Sequence, residues 1–349
     1  MTTSTLSYQN VHNKFKLNGF HLDRDDLCRV AYSFIKEGDD FEKPVGDFIL
    51  DWFDDNDYIE MHTSGSTGIP KIMRVPKLAM VHSALASGDF FELSPGDRAL
   101  NCLPVKYVAG KMMFVRAFIL GLDMDFVAPS SKPLRNNDEI YDFSAMVPLQ
   151  AQNSLESLHR IKKLIVGGAK INAKLEKELL KLPIAAFETY GMTETVSHIA
   201  AKNVGESAFR LLPNVSIEKD ERNCLIIHAP NISETPIVTN DLVELVGDNQ
   251  FKFLGRLDNV INTGGIKLNP EQIEEKLVKL IDRRFFVAGL PDINLGEKLV
   301  LVVEGEVFDI PAETFDGLDK YEKPKEILFV PKFKETGNGK IIRKESLDI

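Results

Sequence analysis

Cysteine is scarce: Cys28, Cys102 and Cys224 are the three in 349 residues. They are odd in number, far apart and outside metal-ligand spacing, which excludes a disulfide framework and a cysteine-built metal centre. Three reduced thiols of an intracellular protein are the expected state. No stretch reaches the roughly 18–20 consecutive apolar residues of a membrane span. The most apolar candidate, 115–128, is broken by Arg116, Asp123 and Asp125. Residues 1–10 lack the charged-then-apolar pattern of a secretory signal, so a cytoplasmic location is expected. Basic charge is also in deficit, since 42 Lys and Arg stand against 52 Asp and Glu for a net charge of −10. A chain that grips a nucleic-acid backbone carries a basic face, so no nucleic-acid partner is expected. Small anionic ligands stay admissible, because a site needs only a few placed donors. Internal repeats and low-complexity segments are missing too.

What is present is an ordinary globular balance, 44% hydrophobic and 27% charged, in a chain long enough for two domains. The spacing predicts a helix over 48–56, with Ile49, Trp52 and Phe53 on one face. A strand over 58–63 then runs straight into a Gly/Ser/Thr loop. Further on come a helix over 77–89, stopped by the turn at 94–97, a strand over 98–103 and a short buried strand over 162–166. A helix over 172–182 and a strand over 185–189 follow. This alternation argues for an α/β class. The texture changes after Arg256. Pro270 starts a helix with Glu271 and Glu274 near its beginning, and strands are expected over 285–290 and 298–304. The expected architecture is a large layered α/β domain over 1–256 and a small α+β domain over 257–349.

The loop Thr63-Ser64-Gly65-Ser66-Thr67-Gly68-Ile69-Pro70-Lys71 has the chemistry of a phosphate grip. Glycines let backbone amides approach an anion, the hydroxyls add donors, and Lys71 adds a positive charge. It is not the P-loop of NTPases, in which Gly-Lys-Ser/Thr leads directly into a helix; here Pro70 precedes the lysine and Ile72 follows it. A surface turn favours the same residue types, so the loop alone leaves both readings open.

Other chemistry-bearing residues stand at strand ends. Tyr190, Gly191, Met192, Thr193, Glu194 and Thr195 follow a strand: Tyr190 can stack on a flat base, Thr193 can donate to a phosphate, and Glu194 can hold Mg²⁺. Asp241 ends a β-rich run and can accept from two ribose hydroxyls, with Arg256 as a second contact. Singly, each is equally compatible with a solvated surface charge. Near the C-terminus, Thr336-Gly337-Asn338-Gly339-Lys340 presents one lysine from a glycine-flexed loop. An ammonium so placed would stabilise charge gathering on an α-phosphate more in the transition state than before it; a solvated chain end is the alternative.

Taken in order, Thr63–Lys71, Gly167-Gly168-Ala169, Tyr190–Thr195, Asp241, Gly255–Glu274, Gly289-Leu290-Pro291-Asp292 with Gly296-Glu297, and Gly337–Lys340 resemble the acyl-adenylate-forming superfamily. That superfamily comprises acyl- and aryl-CoA ligases, luciferases and the adenylation domains of peptide synthetases. The resemblance runs from about residue 58 to the end. It implies that the loop 63–71 holds the departing pyrophosphate, that Gly168, Ala169 and Tyr190 line the adenine pocket, and that Gly191 is among the ATP- and AMP-binding residues. Thr193 would contact the AMP phosphate, Glu194 would bind Mg²⁺, and Asp241 and Arg256 would hold the ribose. Asp258 would be a hinge, Lys340 the adenylation lysine, and Thr263, Gly264 and Gly265 would face coenzyme A. The small domain would be mobile and would alternate between two half-reactions. ATP, Mg²⁺, coenzyme A and a small carboxylic acid are the implied ligands, and a homodimer is admitted.

Within the superfamily, Val196-Ser197-His198 after the glutamate motif and Ser144–Gln150 before the glycine pair are similar to the ligases that act on o-succinylbenzoate in menaquinone biosynthesis. The rivals are another aryl- or acyl-CoA ligase, an enzyme loading a carrier protein, and a non-catalytic nucleotide sensor. Three departures stand out. About sixty residues precede the loop where the family carries a longer segment, so part of the N-terminal region is expected to be missing or replaced. Lys106 and Tyr107 occupy places usually held by an aromatic residue and histidine. Asn240 stands where glycine usually precedes the ribose aspartate. The substrate pocket is therefore expected around Lys106, Tyr107 and His198. Lys106, with Lys111 or Arg116, is a candidate partner of a second substrate carboxylate, and solvated surface lysines are the alternative reading.

Overall fold

The computed structural model describes residues 6–63, 71–135, 137–335 and 341–347. They fall into two compact units: one holds residues up to 216 together with 228–237, the other 217–227 and 238 onward. The α/β class expected from the alternation of elements is what the chain adopts.

In the first unit the sheet neighbours run in the order Phe209–Leu211, His198–Asn203, Ala185–Gly191, Ile161–Val166, Tyr141–Met146, Arg98–Asn101, Asp123–Phe126, Lys16–Leu17 and Phe20–His21. The strands from Ala185–Gly191 through Asp123–Phe126 are parallel to their neighbours, whereas His198–Asn203 returns antiparallel to Ala185–Gly191. Parallel strands need both faces covered. Helices supply much of that cover: Lys77–Phe91 and Val108–Leu120 are buried along most of their length, Phe114 and Phe118 among them. The expected helix at 48–56 begins earlier, as Lys43–Phe53, because Pro44 serves its first turn. Its Phe48 meets Phe114 edge-on, and its Trp52 packs tilted against Phe118.

The expected strand at 58–63 is observed as Tyr58–Thr63, paired antiparallel with Lys71–Pro76 from Tyr58↔Pro76 to Thr63↔Lys71. Residues Ser64, Gly65, Ser66, Thr67 and Gly68 of the expected phosphate grip lie outside the described residues, as does Lys340; Thr63 and Lys71 are described as strand backbone. Immediately after the hairpin, the fully buried Lys77 pairs with Asp54 Oδ1 at 2.6 Å and fixes the hairpin's base to the end of helix Lys43–Phe53.

The second unit contains strands Cys224–His228, Ile237–Leu245 and Gln250–Arg256 as consecutive sheet neighbours, followed by a separate five-stranded sheet. In that sheet Gly296–Glu304 pairs antiparallel with Phe285–Asp292 and parallel with Glu326–Val330. Helix Pro270–Leu277 starts where proline and acidic residues predict it, and buries Ile273 and Leu277 in this unit's core. Among the described residues no helix is long and apolar enough to cross a membrane.

Candidate active site

In the first unit the site grows from two strand ends. Ile161–Val166 stops at Gly167-Gly168, and Gly168 takes a φ of +84° that a side chain rarely adopts. The neighbouring strand Ala185–Gly191 carries Tyr190, whose ring lies 5.9 Å from Phe209. Beside it Lys202 pairs with Glu188 at 3.1 Å, both side chains largely buried.

Beyond Gly191 the chain makes a tight turn locked by one hydroxyl. Thr195, fully buried, accepts at Oγ1 from the Met192 amide at 2.9 Å and donates to the Ser197 carbonyl at 2.7 Å. The Val196 amide donates to the Thr193 carbonyl at 2.9 Å, and Val196 itself sits at a φ of +65°. Strain of that kind in a β-branched residue persists only where its surroundings impose it. The consequence is a rigid knuckle that leaves Glu194 exposed and Thr193 half-buried. Among the described residues no group of three His, Cys, Asp or Glu is placed to hold a metal alone. Glu194 offers a single exposed carboxylate, the kind of ligand that can share an ion with phosphates and waters.

Past the knuckle the chain turns inward. His198 is buried, its Nε2 3.1 Å from Ser87 Oγ. Ser87 Oγ also donates to the Ser83 carbonyl at 2.9 Å, so its single proton is used and Nε2 must carry the hydrogen. The Nδ1 lone pair then faces Arg116, whose NH2 is 3.5 Å away and donates to Ser197 Oγ at 2.9 Å. Arg116 is 2% exposed, and among the described residues no carboxylate pairs with it. Burial pushes its pKa down to about 10. Burial and the neighbouring guanidinium together push His198 well below the ordinary histidine range.

The other expected pocket residues lie apart from this group. Lys106 is exposed and lines, with Phe41, Val45 and Phe126, a small apolar cavity of about 200 Å³. Tyr107 is the N-cap residue of helix Val108–Leu120. Lys111 packs over the Phe48 ring at 5.0 Å, and its pKa is lowered by burial against the pull of Asp51 and Asp47.

In the second unit, Asp241 and Arg256 face each other across neighbouring strands. Val243 opposes Phe253 but Leu242 opposes Gly255, so Leu254 is an extra residue that bulges the strand and re-aims Arg256. Arg256 Nε lies 3.5 Å from Asp241 Oδ1, and its NH2 is 2.9 Å from Asp258 Oδ2. Asp241 is 5% exposed and its amide donates to Thr239 Oγ1 at 3.0 Å. Asn240 joins the group: Nδ2 donates to Asp258 at 3.1 Å, while Oδ1 accepts from Arg222 at 3.1 Å. Sequence spacing gives no sign of Arg222, which arrives from the turn before Cys224–His228. Thr263, Gly264 and Gly265 form a hairpin tip. Both glycines of its two-residue loop have positive φ, +59° and +82°, as a type I′ turn demands. The Gly264 amide donates to the Leu295 carbonyl at 2.8 Å.

Residues 37–221 match the family described as AMP-binding enzyme. A 2-succinylbenzoate–CoA ligase of Lactococcus lactis is 25% identical over 324 residues, covering 84% of this chain and 72% of that protein. A solved structure described as an acyl-CoA synthetase (AMP-forming)/AMP-acid ligase II-like protein from Dyadobacter fermentans is 35% identical, with a TM-score of 0.63, covering 92% of this chain and 97% of the other. The o-succinylbenzoate coenzyme A synthetase of Bacillus subtilis, solved with ATP and magnesium ion, has a TM-score of 0.73 at 20% identity, covering 83% of this chain and 69% of the other. That last likeness concerns the fold alone. The chain spans about two thirds of the length of several curated relatives it matches.

Proposed function

Since the chain belongs to the AMP-binding enzyme family, we propose that it is an AMP-forming acid–CoA ligase whose acid carries a second carboxylate, of the o-succinylbenzoate class. One observation carries the choice of acid: Arg116 is buried with only neutral partners among the described residues. An isolated buried charge is costly, and a bound anion removes that cost. Ser197 and the neutral face of His198 hold the guanidinium without neutralising it.

In the proposed reaction one oxygen of the acid attacks the α-phosphorus of ATP and pyrophosphate leaves. The sulfur of coenzyme A then attacks the acyl carbon, AMP leaves with the bridging oxygen, and the thiol proton is released. Thr193 would donate to the AMP phosphate. Glu194 would hold Mg²⁺ against phosphate oxygens, where the ion offsets their charge. Tyr190, with Gly168 and Ala169, would border the adenine, and Asp241 would accept from the ribose hydroxyls beside Arg256. Lys340 would stabilise the charge on the α-phosphate, with Asp258 as the hinge and Thr263–Gly265 on the side of coenzyme A.

A pyrophosphate-release assay over a panel of acids, each with and without coenzyme A, tests the reading. Release should be fastest with o-succinylbenzoate, slower with its monocarboxylate analogue, and a thioester should form only when coenzyme A is added. Absence of ATP-dependent release with every acid would overturn it.

A further inference from the structure

We propose that Glu271 is a positioning residue whose unpaired carboxylate oxygen sets how the chain on the two sides of Asp258 meets, and so sets the balance between the two half-reactions. This rests on the reading of Asp258 as the hinge. Glu271 opens helix Pro270–Leu277, and its side chain is 15% exposed. Its Oε1 accepts from Asn259 Nδ2 at 2.5 Å, one residue beyond Asp258. Its Oε2 is buried without a hydrogen-bond partner and lies over Gly255, three residues before Asp258. A Cβ on Gly255 would meet that oxygen at 2.5 Å, and the residue's φ of +146° is one a side chain rarely adopts. The carboxylate therefore touches the ribose-side strand and the segment after the hinge at once.

The same carboxylate reaches the C-terminal segment. Arg343 NH2 is 3.4 Å from Glu271 Oε1, while its NH1 is 3.0 Å from Glu274 Oε1 and donates to the Val287 carbonyl at 2.8 Å. The backbone around Arg343 is itself tied down: Ile342 donates to the Lys334 carbonyl at 2.8 Å, and Ile341 bridges Glu335. These backbone pairings and the contacts of Arg343 together tie residues 334–335 and 341–343 to helix Pro270–Leu277 and strand Phe285–Asp292.

A rotation at Asp258 moves helix Pro270–Leu277 relative to strand Gln250–Arg256. The contact of Glu271 on Gly255 must then break, because Glu271 travels with the helix and Gly255 with the strand. Breaking it exposes Oε2 to water. A buried carboxylate oxygen without a partner is costly, so that exposure is favourable: the contact destabilises the observed arrangement, and removing the charge shifts the population toward it.

The test compares Glu271→Gln with the unaltered chain in both half-reactions: acid-dependent pyrophosphate exchange, and thioester formation from preformed acyl-adenylate. The ratio of the two rates should shift by about fivefold or more, at a KM for ATP held within about twofold. Gly255→Ala, whose Cβ crowds the carboxylate in the observed arrangement without removing a charge, should shift the ratio in the opposite direction and covers the case in which Glu271→Gln folds poorly. Equal changes in both half-reactions, or no change in either, would overturn the role given to Glu271. A chain without pyrophosphate exchange in its unaltered form would instead overturn the ligase reading, and this inference with it.

Discussion

The guanidinium of Arg116 lies 3.5 Å from Nδ1 of His198, a cation held against a neutral ring at the centre of the first unit. Stability and function pull on this arginine in opposite directions. Arg116→Met keeps the volume and removes an uncompensated charge, so the thermal midpoint of the free protein should hold or rise by about 2–4 °C. The same change should lower kcat/KM for a dicarboxylic acid by about tenfold to a hundredfold, the worth of one charge-assisted hydrogen bond. The monocarboxylate analogue should lose much less. Thermal melts and paired kinetics measure both; a fall in stability with equal losses on the two acids would show that Arg116 serves only the packing.

His198 gives a pH signature with a definite sign. Its pKa is depressed in the folded chain by burial and by Arg116. The unfolded chain therefore takes up a proton first, near the ordinary value of about 6.5, and stability is full above that pH and lost as the pH falls below it. Urea titrations between about pH 7.5 and 5.5 should show this loss, and His198→Gln should flatten it. The imidazole signal of His198 should not titrate in that window; a midpoint near 6.5 for that ring would contradict the burial argument.

Glu274 in the second unit carries the opposite sign. Burial pushes its carboxyl up to about 7, with the Arg343 guanidinium pulling the other way. A carboxyl raised in the folded state contributes stability that is full below the unfolded pKa of about 4.3 and is lost as the pH rises through about 7. Glu274→Gln should remove that slope while keeping the bond from the Val287 amide, which is 2.8 Å long. Unfolding followed by hydrogen exchange at Val287 between about pH 5 and 8 isolates this unit's contribution.

What the sequence made legible follows its periodicity and punctuation. Tyr58–Thr63 alternates apolar and polar residues and is bounded by a glycine-rich loop, so its strand bounds match expectation. Pro270 with its acidic successors marks a helix start in the same way. Helix Val108–Leu120 was hidden because it is buried on nearly all sides and shows no polar stripe. Arg116, which interrupts the apolar run 115–128 and is also a candidate partner for a substrate carboxylate, lies buried within that helix. In the knuckle at 192–197 the residue types point to Thr193 and Glu194 as ligand contacts, whereas nothing in the spacing marks Thr195 as the hydroxyl that shapes the turn. Arg222 on Asn240 and Arg343 on Glu271 are contacts over 18 and 72 residues of chain. Neither local propensity nor spacing records such pairings.

The pair Lys77–Asp54 should respond unequally to losing either partner. Lys77 is fully buried whereas the Asp54 side chain is 36% exposed, and they meet at 2.6 Å. Among the described residues, Asp54→Ala leaves the ammonium with the backbone carbonyl of residue 54 at 3.3 Å, the Tyr8 ring at 5.1 Å and the more distant charge of Asp51. That loss should cost about 3 kcal/mol. Lys77→Met leaves a carboxylate that water can reach and fills the vacated space with methylenes, so it should cost about 1 kcal/mol or less. Because Lys77 follows directly on the strand Lys71–Pro76, Asp54→Ala should also loosen the base of the hairpin that carries residues 64–70. A raised KM for ATP in that variant, and not in Lys77→Met, would register the effect. Equal destabilisation by the two changes would mean that the ammonium is already solvated, against its burial.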